Sequence, residues 1–360
     1  MARPLSLVVL GLSLSSSWGN GHATTYRALL KAFAGRGHHV TFLERDVPWY
    51  AGNRDLAAPD YCALHLYGDL GELERWRRTI AEADSVIVGS FVPDGVAVGR
   101  WVQATARGVT AFYDIDTPVT LAKLAAGDYE YLSPDLIPGY GLYLSFTGGP
   151  TLDHLMDRYG APVARPLYCS VDAAVYRPIE APIRWDLSYL GTYSDDRQPT
   201  LDRLLLEVAR RAPDLRFAVG GPQYPSTIDW PANVERLQHV PPADHPAFYG
   251  ASRFTLNVTR HQMILAGHSP SVRLFEAAAC GVPIVSDIWD GIETIFRPGA
   301  EIMLASEPSD VLDLLRRPDL AARIGAAGRR RVLQVHTAAH RAVELEDHIR
   351  ALMPALAPPS

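Results

Sequence analysis

Short apolar runs and amphipathic helical patterns alternate along this chain, and that alternation restricts the fold more than any other feature. Apolar runs recur at 5–14, 40–44, 85–90, 110–113, 142–146 and 163–168. Helical patterns fill several of the gaps, for example 23–35, with Leu29, Leu30 and Phe33 in phase, and 94–106. Strands joined through helices run parallel, so the pattern predicts an α/β fold with parallel sheets and crossover helices. A second series starts at 186–190. It continues through a helix at 198–211, strands at 215–219, 254–257 and 283–286, and helices near 308–316, 318–331 and 337–352. Between the two series, Tyr176 to Trp185 carries Pro178 and Pro182 and reads as a linker whose motion would close a cleft. A length of 360 residues suits two domains. The expectation is two Rossmann-like, doubly wound domains, 1–173 and 174–336. A C-terminal helix from 337 would pack back toward the first domain, and the proline-rich tail to 360 would fray. Facing each other, such domains place a cleft between their strand C-termini, where ligands bind.

Composition narrows the function classes. A net charge of -6, with 34 basic against 40 acidic residues and no dense Lys/Arg run, argues against a nucleic-acid binder. Hydrophobic residues at 48% suffice for real cores and exclude global disorder. Cys62, Cys169 and Cys280 are odd in number and far apart, which suits neither a disulfide framework nor a zinc site and points to the cytosol. Arg3 followed by the apolar run to Leu14 looks like a signal peptide. The loop at Trp18–His22 and the helix and strand patterns after it favour a buried first strand instead. No other segment approaches the ~20 apolar residues of a membrane span.

The densest chemistry lies in His268-Ser-Pro-Ser-Val-Arg-Leu-Phe-Glu276-Ala-Ala-Ala-Cys-Gly281-Val-Pro283. It reads as a helix over 270–280 with Ser269 as N-cap, Pro270 at the first helical position, Gly281 at C′ and Pro283 barring continuation. Free amides of Ser271, Val272 and Arg273, with the helix dipole and the Arg273 charge, would make an anion site. Helical side chains lean toward the N-terminus, so Glu276 would accept hydrogen bonds from hydroxyls beside a bound phosphate. Phosphate beside a diol means a nucleotide or a nucleotide sugar. A plain amphipathic helix with one salt-bridged Glu is the competing reading.

Other loops carry weaker signals. In Gly19-Asn20-Gly21-His22 the two glycines allow close backbone approach to a phosphate or sugar, but Thr24 stands where a dinucleotide fingerprint wants a third Gly. His22 is either a base or donor lining the cleft, or a loop-capping histidine. Asp114-Ile-Asp116 follows a strand; carboxylates on alternate strand positions would share a face and can hold Mg2+ or Mn2+, or they cap the turn before Pro118. Gly148-Gly149 and Gly220-Gly221 read as cleft loops or ordinary turns. Asn257, Thr259 and Arg260 end a strand, and Arg260 is a candidate phosphate contact.

Taken together, Trp18–Thr24, Arg36–His38, Tyr113–Leu121, Ser145–Gly149, Leu190–Tyr193 and Ser269–Gly281 resemble GT-B glycosyltransferases of the group 1 type, and more narrowly the CgeB-like (spore maturation protein) enzymes. The last segment looks like the second half of the Glu-x7-Glu signature of retaining GT-B enzymes. The resemblance implies Glu276 on the donor ribose, and it leaves His268 where the family has the acid that contacts the donor sugar. It places phosphate binding after Gly191, making Arg197 a diphosphate clamp or else a surface Arg at a helix start. Gly21, Gly191, Arg197, Arg260, His268, Ser269, Ser271, Val272, Arg273 and Glu276 form the implied donor set. His22 and Asp116 are the catalytic candidates on the acceptor side. No cofactor and no metal are implied, because helix dipoles and basic side chains take a metal's place. The implied reaction is retaining sugar transfer from a nucleotide-diphosphate sugar to a glycan, lipid or small-molecule acceptor; inversion would require His22 or Asp116 as base. A nucleotide-sugar epimerase of the same shape and a non-catalytic nucleotide- or glycan-binding module are the alternatives.

Overall fold

The computed structural model describes residues 3–18 and 21–353. Gly19 and Asn20 of the first glycine loop and the tail from Pro354 lie outside the described residues. The chain divides into two compact units, residues 1–169 with 338–360, and residues 170–337.

Unit 1 is built on seven strands: β1 (Ser6–Gly11), β2 (His39–Arg45), β3 (Ala63–Tyr67), β4 (Ser85–Gly89), β5 (Val109–Asp114), β6 (Leu142–Ser145) and β7 (Ala164–Pro166). All pairings are parallel, in the order β3-β2-β1-β4-β5-β6-β7. The apolar run near the N-terminus is thus a central strand. Its side chains alternate between the faces: Val8 and Leu10 join one core with Val86, Val88 and Phe112, while Leu7 and Val9 join another with Ile87, Ala111 and Tyr113. A strand buried on both sides reads as continuous hydrophobicity, which is why it mimics a leader. The second core also takes Leu29, Leu30 and Phe33 from helix His22–Ala34 and Ala342, Leu345 and Ile349 from helix Ala338–Leu352. Glu346 of the last helix anchors it by accepting from Arg36 Nε at 2.8 Å, with His38 Nε2 3.0 Å away.

Unit 2 carries β8 (Trp185–Leu190), β9 (Phe217–Gly220), β10 (Val234–Leu237), β11 (Ser252–Asn257), β12 (Ile284–Ser286) and β13 (Met303–Leu304). Their order is β10-β9-β8-β11-β12-β13, again wholly parallel. Both sheets therefore reverse direction once, between β1 and β4 and between β8 and β11. In open α/β sheets that switch point leaves a crevice at the strand C-termini. Among the described residues no helix is long and apolar enough to cross a membrane.

Two expectations change. Strands β3, β10 and β13 were not expected; each lies at a sheet edge and is largely half-buried or exposed, so it lacks the apolar run that marks a central strand. The Pro178–Pro182 segment read as a linker falls within unit 2. Tyr176 beside it is buried at 5% exposure, because its ring packs with His245 at 6.2 Å.

Candidate functional site

The helix expected at 270–280 runs Val272–Ala279, and its N-cap is Ser271, not Ser269. Ser271 Oγ accepts from Arg273 N at 3.3 Å. The displacement has a backbone cause. Gly267 and His268 both take positive φ (63° and 46°), and His268 N donates to Asp290 O at 2.6 Å. That reversal carries Ser269 and Pro270 into the interior as extended chain, and the next serine becomes the cap. The His268 ring lies against Gly291, where a Cβ would come within 2.3 Å of Nδ1. A non-glycine residue in the left-handed region costs roughly 1 kcal/mol, held in place here by these contacts. The C-terminal expectation stands: Gly281 takes φ 79° and its N–H donates to Ala278 O. Amides of Ser271 and Val272 meet no acceptor among the described residues, whereas Arg273 N is taken by the cap.

Arg273 reaches from this helix to the switch point. Its Nε donates to Leu190 O at the end of β8, and its Nη1 donates to Asn257 Oδ1 at the end of β11, at 2.5 and 3.1 Å. The guanidinium lies over the Tyr189 ring, 4.9 Å from its centroid. Gly191 makes room for both side chains: a Cβ would stand 2.8 Å from Arg273 Nη2 and 2.6 Å from Tyr189 Oη, and these would have to shift. Gly221, at φ 138°, passes so close to Gly191 O that a Cβ would come within 2.1 Å of it. Arg197, just beyond β8, is only 9% exposed. Its side chain makes one hydrogen bond, Nη2 to Thr192 O at 2.6 Å, and its buried Nε has no partner. Burial lowers the Arg197 pKa, and the charges of Arg273 and Arg260 push it the same way. Among the described residues none of these three guanidiniums is in an ion pair. Arg260 is the exposed N-cap of helix His261–Ala266. Asn257 and Thr259 are scaffold rather than ligands: Asn257 Nδ2 donates to Ser286 Oγ, and Asp287 accepts from Thr259 N and Oγ1.

Glu276 is 7% exposed. His245 Nδ1 lies 3.8 Å from its Oε2, and the Tyr176 hydroxyl lies 3.3 Å from that same Nδ1. Neither Tyr176 nor His245 was legible as a site residue. They stand 100 and 31 positions from Glu276, and no spacing rule connects them.

In unit 1, two catalytic candidates meet. His22 opens helix His22–Ala34 after the Gly21 N-cap, and its Nε2 lies 3.3 Å from Asp116 Oδ2. The His22 ring is edge-on to Phe91 at 5.5 Å and buried, while the Asp116 side chain is 48% exposed. Asp116 therefore presents the accessible carboxylate and His22 stands behind it. Gly21 is not required sterically, since a Cβ there would meet nothing within 4 Å. The two acids of Asp114-Ile-Asp116 do not share a strand face. β5 ends at Asp114, and Asp116 is the N-cap of helix Thr117–Ala126. Asp114 is fully buried, accepting from Thr120 Oγ1 at 2.7 Å and Tyr143 Oη at 2.6 Å. Burial pushes its carboxyl up to about 6. Among the described residues no group of His, Cys, Asp or Glu is arranged to hold a metal. Gly148 passes under the Tyr168 hydroxyl, 2.0 Å from where its Cβ would be, and Gly149 at φ 59° begins helix Pro150–Tyr159.

Two parallel sheets, each with a single reversal, are the architecture of the GT-B fold. Residues 197–347 match the family described as "Glycosyl transferase-like". No curated protein matches in sequence. Among solved structures, the chain is similar to sucrose-phosphate synthase from Thermosynechococcus elongatus (14% identity, 97% of this chain and 99% of that one, TM-score 0.70). It is also similar to HepE of Anabaena in complex with UDP and glucose (13%, 97% and 100%, 0.70). A third is an alpha-glucosyltransferase in complex with UDP and a 13-mer DNA (12%, 97% and 100%, 0.68).

Proposed function

We propose that the protein transfers a hexose from a nucleoside-diphosphate sugar to an acceptor hydroxyl, without a metal. The observation that carries this reading is the cluster of Arg197, Arg260 and Arg273 at the second switch point, three cations with no ion-pair partner and one of them with an orphaned, buried Nε–H. A folded protein leaves such a group unsatisfied where a ligand completes it. A diphosphate supplies the missing acceptors, and Arg offers them a bidentate fork. Ser271 and Val272 amides add donors at the helix N-terminus, and Glu276 takes the ribose hydroxyls.

Chemically, the task is to stabilise a leaving group. The acceptor oxygen bonds to the anomeric carbon as the bond from that carbon to the phosphate oxygen breaks, and negative charge grows on the diphosphate. Preorganised guanidiniums oppose that charge without reorganising. In the retaining course, the acceptor proton passes to the departing phosphate oxygen. The His22–Asp116 contact favours a second course, inversion, in which the exposed Asp116 carboxylate takes that proton and His22 orients it. UDP in the similar solved structures makes UDP-glucose the first donor to try.

The test incubates UDP-, GDP-, dTDP-, ADP- and CMP-sugars with acceptor panels and reads the product anomer by NMR. Transfer to acceptor supports the reading, and the anomer chooses between the two courses. Sugar interconversion without acceptor means an epimerase. Tight nucleotide binding with no turnover against any acceptor means a non-catalytic module.

A further inference from the structure

Glu276 is approached from two elements outside its own helix. Tyr176 comes from the segment ahead of β8, and His245 opens helix His245–Gly250. Tyr176 Oη lies 3.3 Å from His245 Nδ1, and His245 Nε2 lies 3.2 Å from Val240 O. A carbonyl can only accept, so the neutral ring carries its proton on Nε2 and leaves Nδ1 as an acceptor. The Tyr176 hydroxyl thus donates to Nδ1, and the same ring edge faces Glu276 Oε2 at 3.8 Å. Burial raises the Tyr176 pKa, and the Glu276 charge raises it further, so the hydroxyl stays a donor. Burial and then the Glu276 charge raise the pKa of fully buried Tyr249 and of Cys280 and keep both protonated. No Lys or Arg pairs with Glu276 among the described residues. Its basic neighbour is His245, 3.8 Å from Oε2.

We propose that Tyr176 and His245 are positioning residues for Glu276. His245 packs against one carboxylate oxygen and Tyr176 fixes the His245 ring, so that the other oxygen is presented to the ribose 2′ and 3′ hydroxyls and the site selects ribonucleotides. This rests on the reading of Glu276 as the ribose ligand. Without the pair the carboxylate remains in place but rotates, and the gain from a ligand diol falls. A residue that merely fills space would affect deoxy and ribo ligands alike, because each buries the same base and diphosphate.

The experiment titrates wild type, Tyr176→Phe, His245→Asn and Glu276→Gln with UDP and with 2′,3′-dideoxy-UDP, and repeats the pair for GDP and ADP. Melting curves confirm that each variant is folded. Wild type is expected to prefer the ribo form. Tyr176→Phe should cut that preference about tenfold while binding of the dideoxy form changes by less than about twofold. His245→Asn should lower it in the same direction. A full wild-type preference in both variants, or equal losses for the two ligands, overturns the positioning role while leaving Glu276 on the ribose. No ribo preference in wild type, or no binding of any of the three diphosphates, overturns the ribose reading and the proposal with it.

Discussion

Replacing Arg197 by Met should leave the unliganded protein about as stable as before while sharply weakening diphosphate binding. The side chain is 9% exposed and makes one hydrogen bond, to Thr192 O at 2.6 Å. Losing a hydrogen bond from a charged donor costs about 1.5–3 kcal/mol. Against this, the substitution removes a buried Nε–H that has no partner, whose burial costs about 1–3 kcal/mol. It also relieves repulsion from Arg273 and Arg260, and Met keeps most of the volume. The opposing effects leave a net change within about 1 kcal/mol of zero. That is far from the roughly 2–5 kcal/mol of an ordinary buried truncation. Binding has no such compensation. Truncating one member of a buried, hydrogen-bonded charge pair costs at least about 2 kcal/mol, or roughly 30-fold. The assay pairs urea denaturation of the free protein with calorimetric titration of UDP and of uridine, which lacks the phosphates. If Arg197→Met loses more than about 3 kcal/mol of stability and keeps the wild-type ratio of UDP to uridine affinity, Arg197 is structural and the anion-site argument fails.

Four further outcomes are expected. Glu276→Ala should weaken nucleotide binding by about 1–3 kcal/mol, read by titration; unchanged affinity would remove the carboxylate from the ribose. Gly191→Ala drives a Cβ against Tyr189 Oη and Arg273 Nη2, so it should cost about 1–3 kcal/mol of stability and weaken UDP more than uridine. EDTA should leave transfer intact, and loss of activity restored by Mn2+ would refute metal independence. Asp114 carries a pH signature: its folded pKa, raised to about 6 by burial, exceeds its unfolded value of 3.8. Its contribution is then fully present below about pH 4 and is lost as pH rises through about 6, roughly 3 kcal/mol in all. Asp114→Asn should abolish that component in denaturation series from pH 4 to 7, and an identical wild-type slope would contradict it.

Central and edge strands were unequally legible, and burial explains the difference. β1 and β4 are covered by packing on both faces and announce themselves as apolar runs. β3, β10 and β13 border solvent and look like loops. The helix at 272–279 could be seen from its Gly281 and Pro283, yet its start could not. Ser269 and Ser271 are equally good caps in isolation, and the contacts of His268 with Asp290 and Gly291 choose between them.

The sequence by itself determined the α/β class, most of the strand and helix order, and the chemical character of Arg273 and Glu276 on a short helix, because these follow from local periodicity and from residue type. Only the tertiary structure decided that Arg197 is buried with an unpaired Nε, that His22 meets Asp116 while Asp114 turns inward, and that Tyr176 and His245 close on Glu276. Such meetings depend on strand order and on which loops share a sheet edge. Groups tens of residues apart become neighbours only when the whole sheet is assembled, and no local spacing encodes that.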